Sequence, residues 1–322
     1  MLELRWIEPA PTRFDVLFVV DSSPAMLAYR APLEVELRGA FRAIGLVGAY
    51  YDVHVGVLTG DLGVNAEAPQ TPMPGQCAGW GDAAALRRSA LADDAFVQFR
   101  EGPRGTWANV RSSVADALAS LAQVGAGCAH IQPLEAMRIA LGGEPHDAGF
   151  LRDNAHLAVI LVGATDDASP RPVSEYASFL SALKGEDVVV FAAAPSEAPR
   201  LRGFSQLFPL RSDFELIDAL GANSLAEQAY ARFVPFGPKV VAPCFDAPLL
   251  DLDAEAPGVQ PDCVVEDAHQ VIPRCGTTPQ FPCWRVTTDE YCVAAEHQRI
   301  DVMRGDFDPP DNNLVVAQCV SR

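Results

Sequence analysis

The sequence lacks the features that mark membrane-spanning and nucleic-acid-binding proteins. No run approaches the roughly 20 consecutive apolar residues that a transmembrane helix needs. Basic residues are scarce, because 24 arginines and lysines stand against 42 acidic residues and leave a net charge of −18. This charge repels nucleic acid and anionic lipid headgroups, and it favours cations or basic partners. We therefore expect no nucleic-acid partner and no transmembrane segment in this chain.

The motifs of several common enzyme classes are also absent. The sequence has no G-x-S-x-G elbow, Walker loop, G-x-G-x-x-G fingerprint or H-E-x-x-H pair. The segment LVGATDDAS combines Ser169 with two acids, but the members of a catalytic triad usually come from separate elements. Nothing in the sequence supports enzymatic activity, and we expect a noncatalytic protein.

The cysteines predict disulfides and an oxidising compartment. Neither paired C-x-x-C knuckles nor C-x-x-C with paired histidines occur, so a zinc site is not indicated. An even number of cysteines, most of them after residue 239, is typical of a periplasmic, outer-membrane-surface or secreted protein, with buried free thiols as the alternative. The opening MLELRWIEPAPTRFD lacks a basic start and an apolar core, so we expect no signal or lipid anchor in the chain as given. The cysteines are Cys77, Cys128, Cys244, Cys263, Cys275, Cys283, Cys292 and Cys319.

Alternating strand and helix patterns predict a doubly wound α/β fold with a mostly parallel sheet and helices on both faces. The predicted strands are RFDVLFVVD, YDVHVGVLTGD, HLAVILVGA and DVVVFAAAP. In the first of them, the run from Val16 to Val20 shows no polar alternation, which is typical of a strand that is covered on both faces. The predicted helices are LEVELRGAFRAIGLVGAY, WANVRSSVADALASLAQVG, QPLEAMRIAL, SEYASFLSALKG and SLAEQAYARFVPF. Ligands of such sheets gather at the carboxyl ends of the strands.

Composition divides the chain into three predicted regions. Residues 1–13 form an N-terminal extension, and 14–238 form the α/β domain with a Gly-, Pro- and Ala-rich insertion at about 62–94. The prolines of VPFGPKVVAPC mark the next boundary, after which 239–322 are predicted to form a small β-rich module held by disulfides. Its six cysteines allow 15 connectivities, among which a local Cys275–Cys283 pair is plausible.

The segment DVLFVVDSSPAM resembles the first motif of the von Willebrand factor type A (VWA) domain, in which a strand ends in Asp-x-Ser-x-Ser and side chains hold a divalent cation. GCAHIQPLEAMRIAL followed by GFLRDNAHLAVILVGATDDAS is similar to a variant in secreted proteins and lipoproteins of myxobacteria-like bacteria. The resemblance extends over about residues 14–236. It implies an α/β fold that binds proteins at the carboxyl edge of the sheet.

Matched residue by residue, the cation site that the resemblance implies is incomplete. Asp21 and Ser23 occupy the first two ligand positions of the motif, but Ala25 stands where the family has a serine. The family's threonine falls near Gln132, with His130 as the alternative register. A hard cation such as Mg²⁺ or Ca²⁺ takes about six or more oxygens, including carboxylates. We therefore expect a degraded site and no required cofactor.

The second aspartate of the family aligns with Ala164 in this sequence. Asp166 and Asp167 follow closely, and they are interpreted either as replacement ligands or as solvated loop acids. Asp21 has an alternative role as well, because an acid just before a helix can accept the N–H groups of its first turn.

Further residues complete the expected contact edge. Ser22, Asp61 and His130 are predicted to contact a ligand there, and a Cys77–Cys128 disulfide would tie the insertion to this edge.

Three candidate functions follow from these expectations. One is metal-independent adhesion or assembly, including a structural subunit with an inactive site. The others are a Mg²⁺- or Ca²⁺-dependent adhesin that binds an acid of its partner and, as a remote alternative, a metal-dependent hydrolase. The first is preferred.

Overall fold

The computed structural model describes most of the chain. The described ranges are 1–8, 12–39, 51–63, 81–101, 107–124, 127–142, 149–185, 188–220, 244–253, 255–256, 259–267, 270–276, 280–288, 292, 297–303 and 313–322. The predicted helix SLAEQAYARFVPF and most of the insertion, including Cys77, lie outside them.

A seven-stranded sheet forms the centre of the described fold. The strands in the first two thirds of the chain are β1 (Leu2–Glu8), β2 (Thr12–Val20), β3 (Tyr51–Thr59), β4 (Val97–Glu101), β5 (Trp107–Ala108), β6 (His156–Val162), β7 (Val188–Ala193) and β8 (Arg211–Phe214). The sheet order is β5-β4-β3-β2-β6-β7-β8. Neighbours from β3 to β8 run parallel, whereas β4 and β5 add antiparallel pairs at one edge. The predicted mostly parallel sheet is confirmed.

Helices cover both faces of this sheet, as predicted. Along β2, Val16 and Phe18 face one apolar cluster, while Leu17 and Val19 face another on the opposite side. Helices α1 (Arg30–Gly39) and α2 (Val114–Leu121) contribute to the first cluster, and α3 (Pro133–Leu141), α4 (Val173–Lys184) and α5 (Pro199–Ser205) contribute to the second. A short helix, α6 (Leu216–Ala219), follows β8, and a 3₁₀ helix spans Pro24–Tyr29. No helix in the described ranges has the length and apolar character needed to cross a bilayer.

One predicted helix begins later than expected. The sequence predicts a helix throughout WANVRSSVADALASLAQVG, but Trp107–Ala108 form β5, and the helix begins at Val114. Ser113 explains the start, because its hydroxyl accepts a hydrogen bond from the backbone N–H of Asp116 and caps the helix.

The C-terminal module is β-rich and carries three disulfides, as predicted in outline. Its strands are β9 (Cys263–Asp267), β10 (Gln270–Ile272), β11 (Cys283–Thr288), β12 (Gln298–Met303) and β13 (Asn313–Cys319). The disulfides are Cys244–Cys292, Cys263–Cys319 and Cys275–Cys283, so the local pair is confirmed. Cys128 is also disulfide-bonded, but its predicted partner lies outside the described residues, and that pairing stays a prediction.

The N-terminal strand belongs to the sheet of the C-terminal module. β1 pairs antiparallel with β13 along its whole length, from Leu2 opposite Cys319 to Glu8 opposite Asn313, and the sheet order is β1-β13-β9-β10. The predicted extension therefore contains an edge strand of this sheet. Local pattern does not reveal such a partner, because the two strands come from opposite ends of the sequence.

A buried charged cluster fixes the amino end of the main sheet. Asp15 and Asp52 lie on β2 and β3, and both are almost inaccessible to solvent. Arg152 joins them: its Nε lies 2.9 Å from Asp15 Oδ1, and its guanidinium lies 3.0 Å from Asp52 Oδ1. His54 Nδ1 contacts the carbonyl oxygen of Phe150 at 2.8 Å. The loop before β6 is thus held to two neighbouring strands.

Burial shifts two pKa values in this cluster in opposite directions. It raises the pKa of Asp15 from 3.8 to about 6 against the opposing effect of Arg152. Burial and the positive charge of Arg152 lower the pKa of His54 from 6.5 to about 4. Between pH 6 and pH 4, the unfolded chain carries a proton on His54 that the folded chain lacks, whereas the folded chain carries one on Asp15 that the unfolded chain lacks. The two effects on the free energy of unfolding oppose each other.

Replacing His54 by glutamine should therefore expose the contribution of Asp15. The variant loses the proton uptake of the unfolded state, so its free energy of unfolding should rise relative to wild type by roughly 2 kcal/mol between pH 6 and pH 4. Urea denaturation of both proteins across this range measures the difference. A difference that does not change with pH would contradict the opposed shifts.

The disulfides of the module should differ in their effect on stability. Cys263 and Cys319 are 56 residues apart, whereas Cys275 and Cys283 are 8 apart. Because a longer closed loop restricts the unfolded chain more, replacing the first pair by alanines should cost about 4 kcal/mol and the second about 2.5 kcal/mol. Denaturation of the two double variants, monitored by tryptophan fluorescence, provides the comparison. Equal losses would contradict the loop-length argument.

Candidate functional site

The carboxyl ends of three neighbouring strands bring the predicted site residues to one edge of the main sheet. We call residues 21–23, 60–61, 127–132 and 163–165 the binding edge. Backbone hydrogen bonds fix its layout: Asp21 N–H donates to Val162 O at 2.8 Å, and Gly60 N–H donates to Val20 O at 3.2 Å. Gln132 N–H donates to Gly60 O at 2.7 Å, which places the segment before α3 against the end of β3.

The carboxylate of Asp21 is fully engaged with protein donors. Its Oδ1 accepts the N–H of Ser23 at 2.6 Å. Its Oδ2 accepts the N–H of Ala164, the N–H of Thr165 and the hydroxyl of Thr165, each at 3.0 Å. Asp21 is only 1% exposed, so these bonds replace water. The side chain therefore ties the end of β2 to the turn after β6.

This bonding differs from the helix cap that the sequence suggested. Ser23 is the N-cap residue of the 3₁₀ helix, and its side chain makes no capping hydrogen bond. Near the helix start, Asp21 binds the N–H group of Ser23 itself. Asp21 thus connects two loops instead of capping the first turn.

Three buried oxygens at the binding edge have no hydrogen-bond partner within the described part of the chain. They are Ser22 Oγ, Ser23 Oγ and Gln132 Oε1, on side chains that are 3%, 2% and 1% exposed. An unpaired buried polar atom costs about 1–3 kcal/mol, so such atoms are rare and point to a missing partner. Gln132 stands at the N-cap of α3, yet its side chain makes no capping bond either.

Gly127 brings another loop close to this edge. Its N–H donates to Ser22 O at 2.6 Å, and the next residue, Cys128, donates its N–H to Asp61 Oδ2 at 3.3 Å. A Cβ at Gly127 would lie 2.6 Å from Ser22 Oγ and 2.7 Å from Asp61 Oδ2. Only glycine allows this approach. The half-buried His130 follows in the same loop.

Asp166 and Asp167 bind the N-termini of two helices. Asp166 accepts the N–H groups of Arg200 and Leu201 at the start of α5. Asp167 Oδ1 accepts Leu134 N–H at 3.2 Å in the first turn of α3, and its Oδ2 pairs with Arg200 at 3.0 Å. Burial raises the pKa of Asp167 above its usual value. Asp167 is therefore a buried structural acid, so the solvated-acid interpretation is wrong for it.

These contacts leave few oxygens for a divalent cation. Among the described residues, no group of three or more His, Cys, Asp or Glu side chains is placed to hold a metal ion. Asp21 Oδ2 already has three donors, and the replacement acids bind helix termini. Mg²⁺ and Ca²⁺ take about six or more oxygens with carboxylates among them. The oxygens of the edge that have no partner among the described residues are those of Ser22, Ser23 and Gln132. These contacts do not support the interpretation of Asp166 and Asp167 as replacement ligands.

Thr165 and Gly127 were not identified from the sequence. Thr165 directly follows Ala164, the position aligned with the family's second aspartate, and it supplies two of the donors to Asp21. A threonine next to the position of the missing carboxylate could have been identified from the sequence as a candidate site residue. The close approach of Gly127 depends on a contact between distant segments, which a local pattern does not indicate.

No family model and no curated protein matches this chain. Several solved structures are similar to it at low identity. They include a von Willebrand factor type A protein from Catenulispora acidiphila (11% identity, TM-score 0.39, 99% of this chain and 61% of that one). The pilus adhesin SpaC from Lactobacillus rhamnosus GG matches at 11% identity and a TM-score of 0.38, over 98% of this chain and 40% of that one. Proximal thread matrix protein 1 from the mussel byssus matches at 12% identity and a TM-score of 0.37, over 66% and 47%.

This chain thus spans between 40% and 61% of the length of these three proteins. At these identities and TM-scores, the likenesses assign neither a family nor a function.

Replacing Asp21 by alanine should destabilise the fold substantially. The change leaves the N–H groups of Ser23, Ala164 and Thr165 without their acceptor in a buried place, which should cost about 2–4 kcal/mol. Chemical denaturation measures the loss. Asp153→Ala is the matched control, because this exposed acid lies before β6 at the opposite end of the sheet. Equal stability of the two variants would contradict the role given to Asp21.

Proposed function

We propose that this chain is a noncatalytic protein-binding module that acts in adhesion or assembly and docks its partner at the binding edge without a metal ion. The observation that carries the proposal is the set of hydrogen bonds that the carboxylate of Asp21 accepts. A carboxylate that satisfies four protein donors stabilises the edge as a rigid surface and has little capacity left to hold a cation.

The surface next to Asp21 supports contact with a protein. In the 3₁₀ helix that follows Ser23, the exposed residues are all apolar, and Leu27 is 46% exposed. Apolar residues exposed beside a structured edge favour association, since their burial removes them from water. Ala25 contributes to this surface at the position where the resembling family has a metal-binding serine. The exposed residues are Pro24, Ala25, Leu27 and Ala28.

A second candidate is the cation-bridged adhesin, which the unpaired buried oxygens favour. Ser23 Oγ and Gln132 Oε1 occupy two of the expected ligand positions and lack partners among the described residues. Mg²⁺ or Ca²⁺ bound there would complete their coordination, although too few carboxylates are free for a strong site.

The disulfides support the proposed compartment. Three disulfides in the C-terminal module fit an oxidising extracellular or envelope location. The proposed partner is a protein in such a location. If the edge has a purely structural role, the chain is a rigid subunit of a larger surface assembly.

Site-specific photocrosslinking in the native host tests the docking edge. A benzophenone amino acid in place of Leu27 or Ala129 should give a discrete adduct with one protein, because both positions are exposed at or beside the binding edge. Asn154, which is exposed at the opposite end of the sheet, is the control position. Adducts of equal yield from all three positions, or from Asn154 alone, would contradict the proposal.

Thermal unfolding separates the two candidates. A ligand that binds only the folded state raises the melting temperature by mass action. Metal-independent docking predicts the same melting temperature in Mg²⁺, in Ca²⁺ and in EDTA. A rise with either cation that EDTA reverses would favour the cation-bridged adhesin, and its loss in Ser23→Ala would locate the ion.

A further inference from the structure

A small open cavity beside the binding edge is lined by two arginines. Its volume is about 210 Å³, and its lining residues are Asp82, Ala85, Leu86, Arg87 and Arg88. The cavity adjoins the edge, because Asp82 N–H donates to Asp61 O at 2.8 Å and the hydroxyl of Thr59, the last residue of β3, donates to Asp82. The described lining carries one more positive than negative charge, in a chain of net charge −18.

Arg87 is held in place with unused donors. Its backbone N–H donates to Val57 O at 2.7 Å, and its Nη2 group donates to Gln123 O at 3.0 Å just after α2. Its Nε is buried and has no hydrogen-bond partner in the described ranges. Asp82, the acid that lines the same cavity, forms an ion pair with Arg87 Nη1 at 3.7 Å, a distance that is too long for a hydrogen bond. A guanidinium nitrogen in this position requires an acceptor.

Arg88 offers a second guanidinium at the same cavity. It is exposed, and within the described part of the chain it makes no hydrogen bond or ion pair. Arginine donors match a carboxylate in a bidentate arrangement, and such charge-assisted bonds are stronger than neutral ones. The cavity is smaller than the roughly 300–1,000 Å³ of typical cofactor or drug-sized pockets. Its size suits one acidic side chain.

We propose that Arg87 and Arg88 form a binding site for a carboxylate, supplied by a glutamate or aspartate side chain of the docking protein. The inference rests on the proposed function and adds the chemistry of the partner. The partner's acid is received by guanidinium groups beside the binding edge, and no cation is needed to bridge it. The apolar surface around Leu27 and this cavity then form two parts of one contact region.

NMR of the arginine Nε–Hε groups in the isolated chain tests the site with defined probes. N-acetylglutamate amide should shift the Nε–Hε resonances of Arg87 and Arg88 in a saturable way, whereas the neutral N-acetylglutamine amide should not. Arg87→Lys identifies the Arg87 resonance by its loss, and the resonance of Arg88 provides the same measurement if that variant fails to fold. Acetate serves as the small free carboxylate.

Substitutions of single arginines make the expectation specific. Arg88→Gln should weaken binding of the glutamate probe about tenfold, the effect of removing a charge-assisted interaction. Arg111→Gln should have no effect, because Arg111 is an exposed arginine paired with Asp93 on a neighbouring segment. Equal shifts with the glutamate and glutamine probes, no shift with either, or unchanged affinity in Arg88→Gln would overturn the site. Acetate that binds as tightly as the glutamate probe would overturn the assignment to a protein side chain.

These outcomes are distinct from those of the crosslinking experiment. A partner captured from Leu27 together with no glutamate binding would leave the docking edge standing and remove only the carboxylate site. Glutamate binding together with equal crosslinking from all positions would leave the carboxylate site standing and remove the docking edge.

Discussion

The organisation of the binding edge depends on how one buried carboxylate is satisfied. Asp21 lies at the end of a strand that is covered on both faces, where an ionised group without partners would be very costly. It meets this constraint by accepting donors from its own loop and from the turn after β6. The turn and the strand end are thereby fixed to each other. The proposal of metal-independent docking depends on the same bonds.

The other acids at and beside the binding edge follow the same principle. Asp166 and Asp167 stabilise helix N-termini, where partial positive charge and free N–H groups favour a carboxylate. Asp61 accepts N–H groups from Gly63 and Cys128. Each of these acids, which could have contributed to a metal site, instead joins two segments of the chain. The exposed residues of the 3₁₀ helix after Ser23 are apolar, and the cavity that adjoins the edge is lined by two arginines. The proposed docking depends on these two features.

The sequence was informative where local pattern determines structure. Apolar runs identified β2, β6 and β7, because strands with two covered faces need no polar alternation. The valine-rich segment YDVHVGVLTGD identified β3. Pro133 indicated the start of α3 for a similar local reason, since proline suits the first turn of a helix. The short spacing of the Cys275–Cys283 pair was also a local signal.

Contacts between distant segments could not be predicted from local sequence patterns. The pairing of β1 with β13 and the connection from Asp21 to Thr165 join residues far apart in sequence. At the site, the position of Asp21 could be predicted because a strand ends there. The hydrogen bonds of its carboxylate to Ala164 and Thr165 could not be predicted, since these donors come from another loop. The arginine cavity could not be predicted either, because Arg87 and Arg88 lie in an insertion with no recognisable motif.

The most direct test of the central claim is a crystal structure of the chain grown in manganese chloride, with anomalous diffraction data collected for manganese. A carboxylate already satisfied by protein donors predicts no anomalous peak beside Asp21 and a bond to the hydroxyl of Thr165 that is still intact. A manganese ion within bonding distance of Asp21, Ser23 and Gln132, with the bond to Thr165 broken, would contradict it.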